Sequence, residues 1–423
     1  MFQISKFRHR GWAAIAVASI GLGQIGCGGG APAGDNEAAD AGGGGGKTNI
    51  IKIVSSLPRT GSANAQTTTM VNGIKLAIAE AGGKVGDFTL QYEDWDDASP
   101  QRGNWDPAVE TANANKAVSD PDVMVYVGTF NSGAAKMSMP ITNKANLAMV
   151  SPANTAVELT KPGKGEPHEP AAYRPSGKVN YVRVVPADDI QGAVAADWAK
   201  EMGVERVFVV HDREVYGKGI AEIFRTRAEE RGVQIVGFEG IDSRASNYRS
   251  LATKVKEQGP QLVYFGGTTQ SNGGQLAKDL VAGGVDVKFM VPDGCFENAF
   301  IDGAGAANLN GRAYITFGGV PPVMLKGKGA EFYESYKKMY AAEPEAYAVY
   351  GYEAGKVALY GIEKAGKKDR DAIREAIVAI KSFDGALGNW SFDENGDTSL
   401  TTMSGNTVKD GKFEFVKVLG QGQ

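Results

Sequence analysis

From Asn49 onward, short β-branched runs alternate with stretches of helical spacing. Residues 49–55 (NIIKIVS) are apolar and bounded by turn formers, which predicts a strand. Met70, Ile74, Ala77 and Ile78 then recur at helical spacing, and Gly82-Gly83 ends that helix. A strand at 88–92, a helix at 107–118 opened by Pro107, a strand at 123–127, a helix at 133–144 and a strand at 147–150 follow. The stretch 161–178 carries Pro162, Pro167, Pro170 and Pro175 and reads as a surface insertion. Alternation resumes with strands at 206–210, 233–238, 262–265 and 287–291, separated by helices at 217–231, 246–258 and 272–282. A strand at 312–317 leads to helices at 327–341, 345–366 and 369–380. A strand-like 390–392 and a hairpin around Lys409-Asp410-Gly411 complete the pattern.

Strands separated by helices of this length imply βαβ units and parallel sheets covered on both faces. Each of the two runs holds enough units for its own sheet, so the expected fold is α/β with two doubly wound lobes. The last third has too few strands for a third sheet and must complete the two already begun. The chain then crosses between lobes more than once, leaving a hinged cleft.

The beginning of the sequence reads differently. Lys6, Arg8, His9 and Arg10 precede an apolar run from Gly11 to Ile25, shorter than the roughly 20 residues a bilayer span needs. Ile25-Gly26-Cys27 resembles a bacterial lipobox, with Gln24 where leucine is usual. Residues 1–26 are thus expected to be a lipoprotein signal peptide and Cys27 the lipidated first residue of the mature chain. The other reading is a plain secreted protein cleaved nearby. Residues 27–47, almost free of large apolar side chains, cannot repay their ordering entropy and read as a flexible Gly-rich tether.

Composition narrows the function. The 423 residues carry 45 Lys+Arg against 49 Asp+Glu, a net charge of −4 without long basic runs, which argues against nucleic acid as a partner. Three His and two Cys are too few for a typical zinc or iron–sulfur site, and no metal or cofactor is expected. With Cys27 lipidated, Cys295 has no disulfide partner and reads as a small buried residue. Gly217-Lys218-Gly219 lacks the third glycine of a dinucleotide loop, and no phosphate-binding loop or nucleophile elbow occurs. Asp393-x-Asn395-x-Asp397 hints at a calcium loop, but Thr398 and Ser404 stand where glycine and glutamate belong. A β-turn with exposed acids is the better reading there. The chain is therefore not expected to be an enzyme.

What remains are small and hydroxylic residues at strand ends. Gly128-Thr129-Phe130-Asn131-Ser132-Gly133 leaves a strand and enters a helix, offering free N–H groups, a positive dipole end and a hydroxyl to a carboxylate. Ser151-Pro152-Ala153-Asn154-Thr155 does the same after the next strand. Ser132 and Thr155 read equally as helix N-caps, since capping needs the same residue types. Ligands of open α/β sheets bind at such strand ends. In the second run, Tyr216 in His211–Gly217, Thr268 after Gly266-Gly267, and Asp293 between Pro292 and Gly294 occupy equivalent places. Asp293 reads either as a turn former or as the counter-charge of a ligand ammonium.

These segments in this order resemble the leucine/isoleucine/valine-binding protein family, type I periplasmic solute-binding proteins serving ABC transporters. The resemblance runs from about Ile51 to the C-terminus and is carried by seven stretches. They are YEDWDDASP (92–100), VGTFNSG, SPANTAVELT (151–160), VVHDREVYGKGIAE (209–222), VYFGGTTQSNGGQL (263–276), FMVPDGC and WSFDENGD (390–397). It implies two α/β lobes joined by three hinge crossovers near Pro186, Phe317 and Gly385. One lobe is then 48–185 plus 318–384, the other 186–317 plus 385–423. Ser132 and Thr155 match the family's holders of the ligand α-carboxylate, Ala153 the carbonyl offered to the ammonium, and Asp293 its acidic partner. Tyr216 and Tyr347 match wall residues. Gln66 and Thr268 stand where leucine binders often carry aromatics, so the implied pocket is more polar than a leucine pocket. The implied protein is a monomeric, lipid-anchored receptor on the outer side of a bacterial membrane. It captures an amino acid, branched-chain-like or more polar, for an ABC permease. Two other classes stay open: a receptor for amides, urea or small organic acids reporting to a signalling partner, and a secreted α/β enzyme using the same cleft.

Overall fold

The computed structural model describes residues 49–420; the signal segment, Cys27 and the tether lie outside the described residues. Six strands form one sheet: β1 (Ile50–Leu57), β2 (Lys84–Val85), β3 (Phe88–Asp96), β4 (Val123–Gly128), β5 (Ala148–Ser151) and β6 (Tyr181–Arg183). Their order is β2-β3-β1-β4-β5-β6, parallel except for β2. Ile51, Ile53, Val54 and Leu57 of β1 are all fully buried. Burial on both faces is why this strand reads as a continuous apolar run instead of alternating.

The second sheet has seven strands: β7 (Arg206–His211), β8 (Gln234–Gly240), β9 (Leu262–Gly266), β10 (Lys288–Val291), β11 (Ala313–Gly318), β12 (Met403–Lys409) and β13 (Lys412–Leu419). The order is β8-β7-β9-β10-β11-β12-β13; β7 to β11 run parallel, while β12 and β13 are antiparallel. Both sheets are therefore parallel at their centres, as expected, with antiparallel strands only at their edges, the expected C-terminal hairpin among them. The β12–β13 turn is Asp410-Gly411 with φ of 50° and 73°, the primed geometry that matches strand twist. In each sheet the strand order reverses once, between β1 and β4 and between β7 and β9. The carboxyl ends of the strands at such a reversal are where open α/β sheets hold ligands.

The sequence pattern does not disclose the short β2 and the helix Asn298–Ala304, nor β6 and the helix Asp188–Glu201, which carries the chain out of the first lobe and packs on helix Val215–Glu230 of the second. The return follows β11, and helix Ala348–Ala365 lies against helix Asn64–Glu80 of the first lobe. The third crossing falls later than Gly385. The hairpin Phe383–Gly385 with Gly388–Trp390 is still tied to the first lobe, where Trp390 Nε1 and the Ala386 N–H donate to Glu353 at 2.6 and 2.9 Å. Only beyond Asp397, which pairs with Arg183 at the end of β6, does the chain join the second sheet.

The first lobe depends on one close approach. A Cβ on Gly73 would lie 2.2 Å from the Ala348 carbonyl oxygen, and one on Gly351 2.1 Å from that of Met70. Gly73→Ala or Gly351→Ala is expected to push these helices apart and cost about 1–3 kcal/mol, read as a lower urea midpoint at unchanged slope.

Candidate functional site

Each lobe shapes its strand-end loops with its own buried polar groups. In the first lobe Ser151 Oγ accepts from Asn154 N at 2.9 Å, curling the loop after β5. Asn154 Oδ1 accepts from Thr129 N at 3.2 Å, and its Nδ2 donates to the Phe130 carbonyl at 3.0 Å, tying that loop to the one after β4. Helix Ser132–Lys144 begins here with Asn131 at the N-cap, whose side chain does not cap it. Ser132 is therefore the first helical residue and no cap; its Oγ accepts from Ala156 N at 3.4 Å. Thr155 caps no helix either, and its buried Oγ1 has no partner. Ala134 and Ala135 N–H already donate to the Asn131 carbonyl, so it is the Ser132 and Gly133 N–H groups and the two hydroxyls that stay available to an anion.

In the second lobe Asp212 is the internal tie. Its Oδ2 accepts from Ser271 Oγ at 2.6 Å and its Oδ1 from Glu214 N at 2.9 Å, joining the loops after β7 and β9. Burial pushes its carboxyl up to about 7. Thr268 turns the β9 loop by accepting from Ser271 N at 3.2 Å. Gly294 has no room for a side chain, since a Cβ would come within 2.9 Å of Thr268 Cγ2.

The two sets of loops face each other. Phe130, Asn131, Ser132, Ala153 and Tyr347 from the first lobe and Tyr216, Thr268, Asp293 and Gly294 from the second enclose a cavity of about 20 Å³. Asp293, 3% exposed, is its only ionisable acid. Tyr216 donates to its Oδ1 at 2.6 Å, and Tyr347 donates to Oδ2 from the opposite lobe. Asp293 is thus no simple turn former, because its side chain points into the contact between lobes. Burial raises its pKa, with the two phenol donors opposing. Phe130 and Phe317 flank Tyr347 edge-on, at centroid distances of 6.3 and 5.7 Å.

Of the sequence candidates, Ser132, Ala153, Tyr216, Thr268, Asp293 and Tyr347 therefore line one cavity. Thr155 adjoins it through the neighbouring turn. Gln66 is buried with neither amide atom partnered, yet it does not line that cavity. Asp188 was not a candidate. Its N–H donates to the Thr155 carbonyl at 2.9 Å, and both of its buried oxygens lack partners. Burial, and then the negative charge of Asp293, push its carboxyl well above the usual range. No sequence signal marked it, because it opens a helix that the pattern did not disclose. A larger cavity of about 820 Å³ lies outside it, lined by Glu158, Asp188, Arg213 and Lys218 and by Lys164 and Glu166 of the insertion.

The acids at 393–397 correct the exposed-turn reading. Asp393 Oδ1 does accept from Asn395 N and Asp397 N, but Asp397 is buried against Arg183 at 2.7 Å. Among the described residues no group of three or more His, Cys, Asp or Glu is placed to hold a metal, and no helix is long and apolar enough to cross a membrane.

Two mixed sheets whose strand ends oppose across a small cavity, joined by three chain crossings, define a hinged solute-trapping protein. Residues 50–412 match the model of the periplasmic binding protein family, and the chain belongs to that family. It is 30% identical over 352 residues to the leucine-, isoleucine-, valine-, threonine- and alanine-binding protein of Pseudomonas aeruginosa, covering 82% of this chain and 87% of that one. It is 28% identical over 369 residues to the Leu/Ile/Val-binding protein homolog 2 of Brucella abortus, covering 85% and 91%. Among solved structures it resembles a leucine-binding protein, LivK, of Thermotoga maritima, with a TM-score of 0.77 and 26% identity over 88% of this chain and 99% of that one. It is a solute-binding protein of the type I, branched-chain amino acid group and not an enzyme.

Proposed function

We propose that this chain is the extracytoplasmic receptor of an ABC importer, capturing an α-amino acid between its lobes and delivering it to a permease. The observation that carries this reading is Asp293 facing Ser132 and Ala153 around one cavity, an acid from one lobe opposite hydroxyl, carbonyl and helix N-terminus from the other. The ligand carboxylate rests on Ser132, Thr155 and the first N–H groups of helix Ser132–Lys144. Its ammonium bridges the Ala153 carbonyl and Asp293, and Tyr216, Thr268 and Tyr347 wall its side chain. Thr268 in this wall favours a side chain more polar than leucine, and Gln66, outside the cavity lining, is assigned no contact with the ligand. Charge-assisted hydrogen bonds of this kind are worth about 1.5–3 kcal/mol each. The ligand meets both lobes only when they close, which is what shifts the open–closed equilibrium. Hinges at 184–187, 318–321 and 398–402 carry the motion. Cleavage before Cys27 and lipidation there tether a monomer to the membrane outside the cytoplasm.

A cavity of about 20 Å³ holds no more than one water. Admission of an amino acid therefore requires the lobes to part and Tyr347 to leave Asp293. The test is a thermal-shift screen of the full chain against amino acids, amides, urea and small organic acids. A specific amino acid at 100 times its dissociation constant should add about 2.7 kcal/mol of stability. Stabilisation by amides or organic acids, and by no amino acid, would overturn the reading.

A further inference from the structure

A second pair of acids meets across the cleft, away from the cavity. Glu297 follows the Asp293–Cys295 turn of the second lobe and is 1% exposed. Its Oε1 accepts from Gln270 Nε2 at 2.8 Å, while Oε2 is buried without a partner. Glu345 comes from the first lobe, two residues before Tyr347. Its Oε1 accepts from Asn298 Nδ2 at 3.0 Å, and its Oε2 is likewise buried and unpartnered, as is Gln270 Oε1. The Asn298–Glu345 bond spans the two lobes. Three oxygen acceptors thus gather at this seam with no donor facing them but the Thr269 hydroxyl, which also reaches the Gly294 carbonyl at 3.5 Å, and no ion pair from Lys or Arg reaches either glutamate among the described residues. The other ionisable groups facing them are the Cys295 thiol beside Glu297 and Asp302 beside Glu345, neither of which supplies positive charge.

We propose that Glu297 and Glu345 form a proton-linked seam: closing the lobes takes up a proton there, so ligand affinity falls as pH rises through neutrality. A carboxyl proton supplies a donor that one shared hydroxyl cannot provide for three oxygens. In the closed structure burial pushes Glu297 up to about 8, with the Thr269 side chain opposing and the Glu345 charge adding. Burial, then Asp302, raises Glu345 as well. Parted lobes return both groups to water, where a glutamate titrates near about 4.3. Between these values the closed form holds a proton that the open form has released. Closure is unpenalised below that window and carries its full penalty above it.

The inference rests on the capture reading, and its test separates the two. The probe is whichever of the twenty standard amino acids gives the largest thermal shift. Calorimetry of the full chain with that probe, in phosphate and in imidazole buffer near pH 6.5, counts the protons taken up on binding. Glu297→Gln should reduce the uptake by about one proton, and its affinity advantage over wild type should grow about a hundredfold between pH 5.5 and pH 8 and vanish only as the pH falls to about 4. Glu345→Gln, whose amide also gives Glu297 a donor, should shift both readouts the same way. Asp188 and Asp293 remain in both variants, so the difference isolates the seam. Binding with unchanged proton uptake in both variants overturns this inference alone; binding of none of the twenty sinks it together with the capture reading.

Discussion

Asp293→Ala weakens amino-acid binding about ten- to a hundredfold, or about 1.4–2.7 kcal/mol, in a calorimetric titration. Asp293 is the only carboxylate lining the small cavity, and the phenols of Tyr216 and Tyr347 hold its two oxygens in place. An ammonium that replaces Tyr347 on Oδ2 gains a charge-assisted bond, whereas alanine leaves it facing only carbonyl and phenol oxygens. Asp293→Asn separates charge from shape. It keeps an acceptor for the tyrosines and should lose nearly as much affinity, while the ligand-free chain folds as well as wild type. Equal affinity for wild type and both variants would remove Asp293 from the site.

Arg183→Ala is expected to cost about 3–5 kcal/mol of stability, the usual penalty for leaving one member of a buried ion pair unpaired. The guanidinium is fully buried. Its Nε donates to Asp397 Oδ1 at 2.7 Å, its Nη1 to the Ala156 carbonyl at 2.7 Å, and its Nη2 to Thr160 Oγ1 at 2.5 Å. It therefore fixes the loop that bears Ala153 and Thr155 while tying the end of β6 to residues before the third crossing. Burial alone would raise the Asp397 carboxyl, but Arg183 overrides that and holds it below the ordinary aspartate range. The pair's contribution is then complete at neutral pH and is lost only as the pH falls below about 4. Thermal unfolding of the variant should show the deficit at pH 7 and a much smaller one in acid.

These two residues also show where the sequence was readable. Asp293 was legible because a strand end, a proline and a glycine placed it on the rim of the second sheet, and the family resemblance supplied the role proposed for it. Arg183 was not, because its partner lies 214 positions away and no local pattern joins them. The buried strands announced themselves through β-branched runs such as 123–127. Helix Asp188–Glu201 did not, since its buried face is built largely from Ala195, Ala196 and Ala199, small residues that leave little periodic contrast. Missing that helix hid Asp188, the acid nearest Thr155. The sequence also gave no sign that the 383–390 hairpin stays with the first lobe, because the contact that holds it, Glu353 with Trp390, is tertiary. Loop chemistry travels with local sequence; pairing between distant segments does not.

On the proposed function, the two lobes hold one amino acid between their strand ends. A crystal structure of the chain grown with its best-stabilising amino acid tests this most directly. The α-carboxylate should lie within hydrogen-bond distance of Ser132 and Thr155, and the ammonium against Asp293 with Tyr347 displaced from it. The same amino acid seated only in the outer cavity between Glu158 and Arg213, with Tyr347 still bonded to Asp293, would contradict the claim.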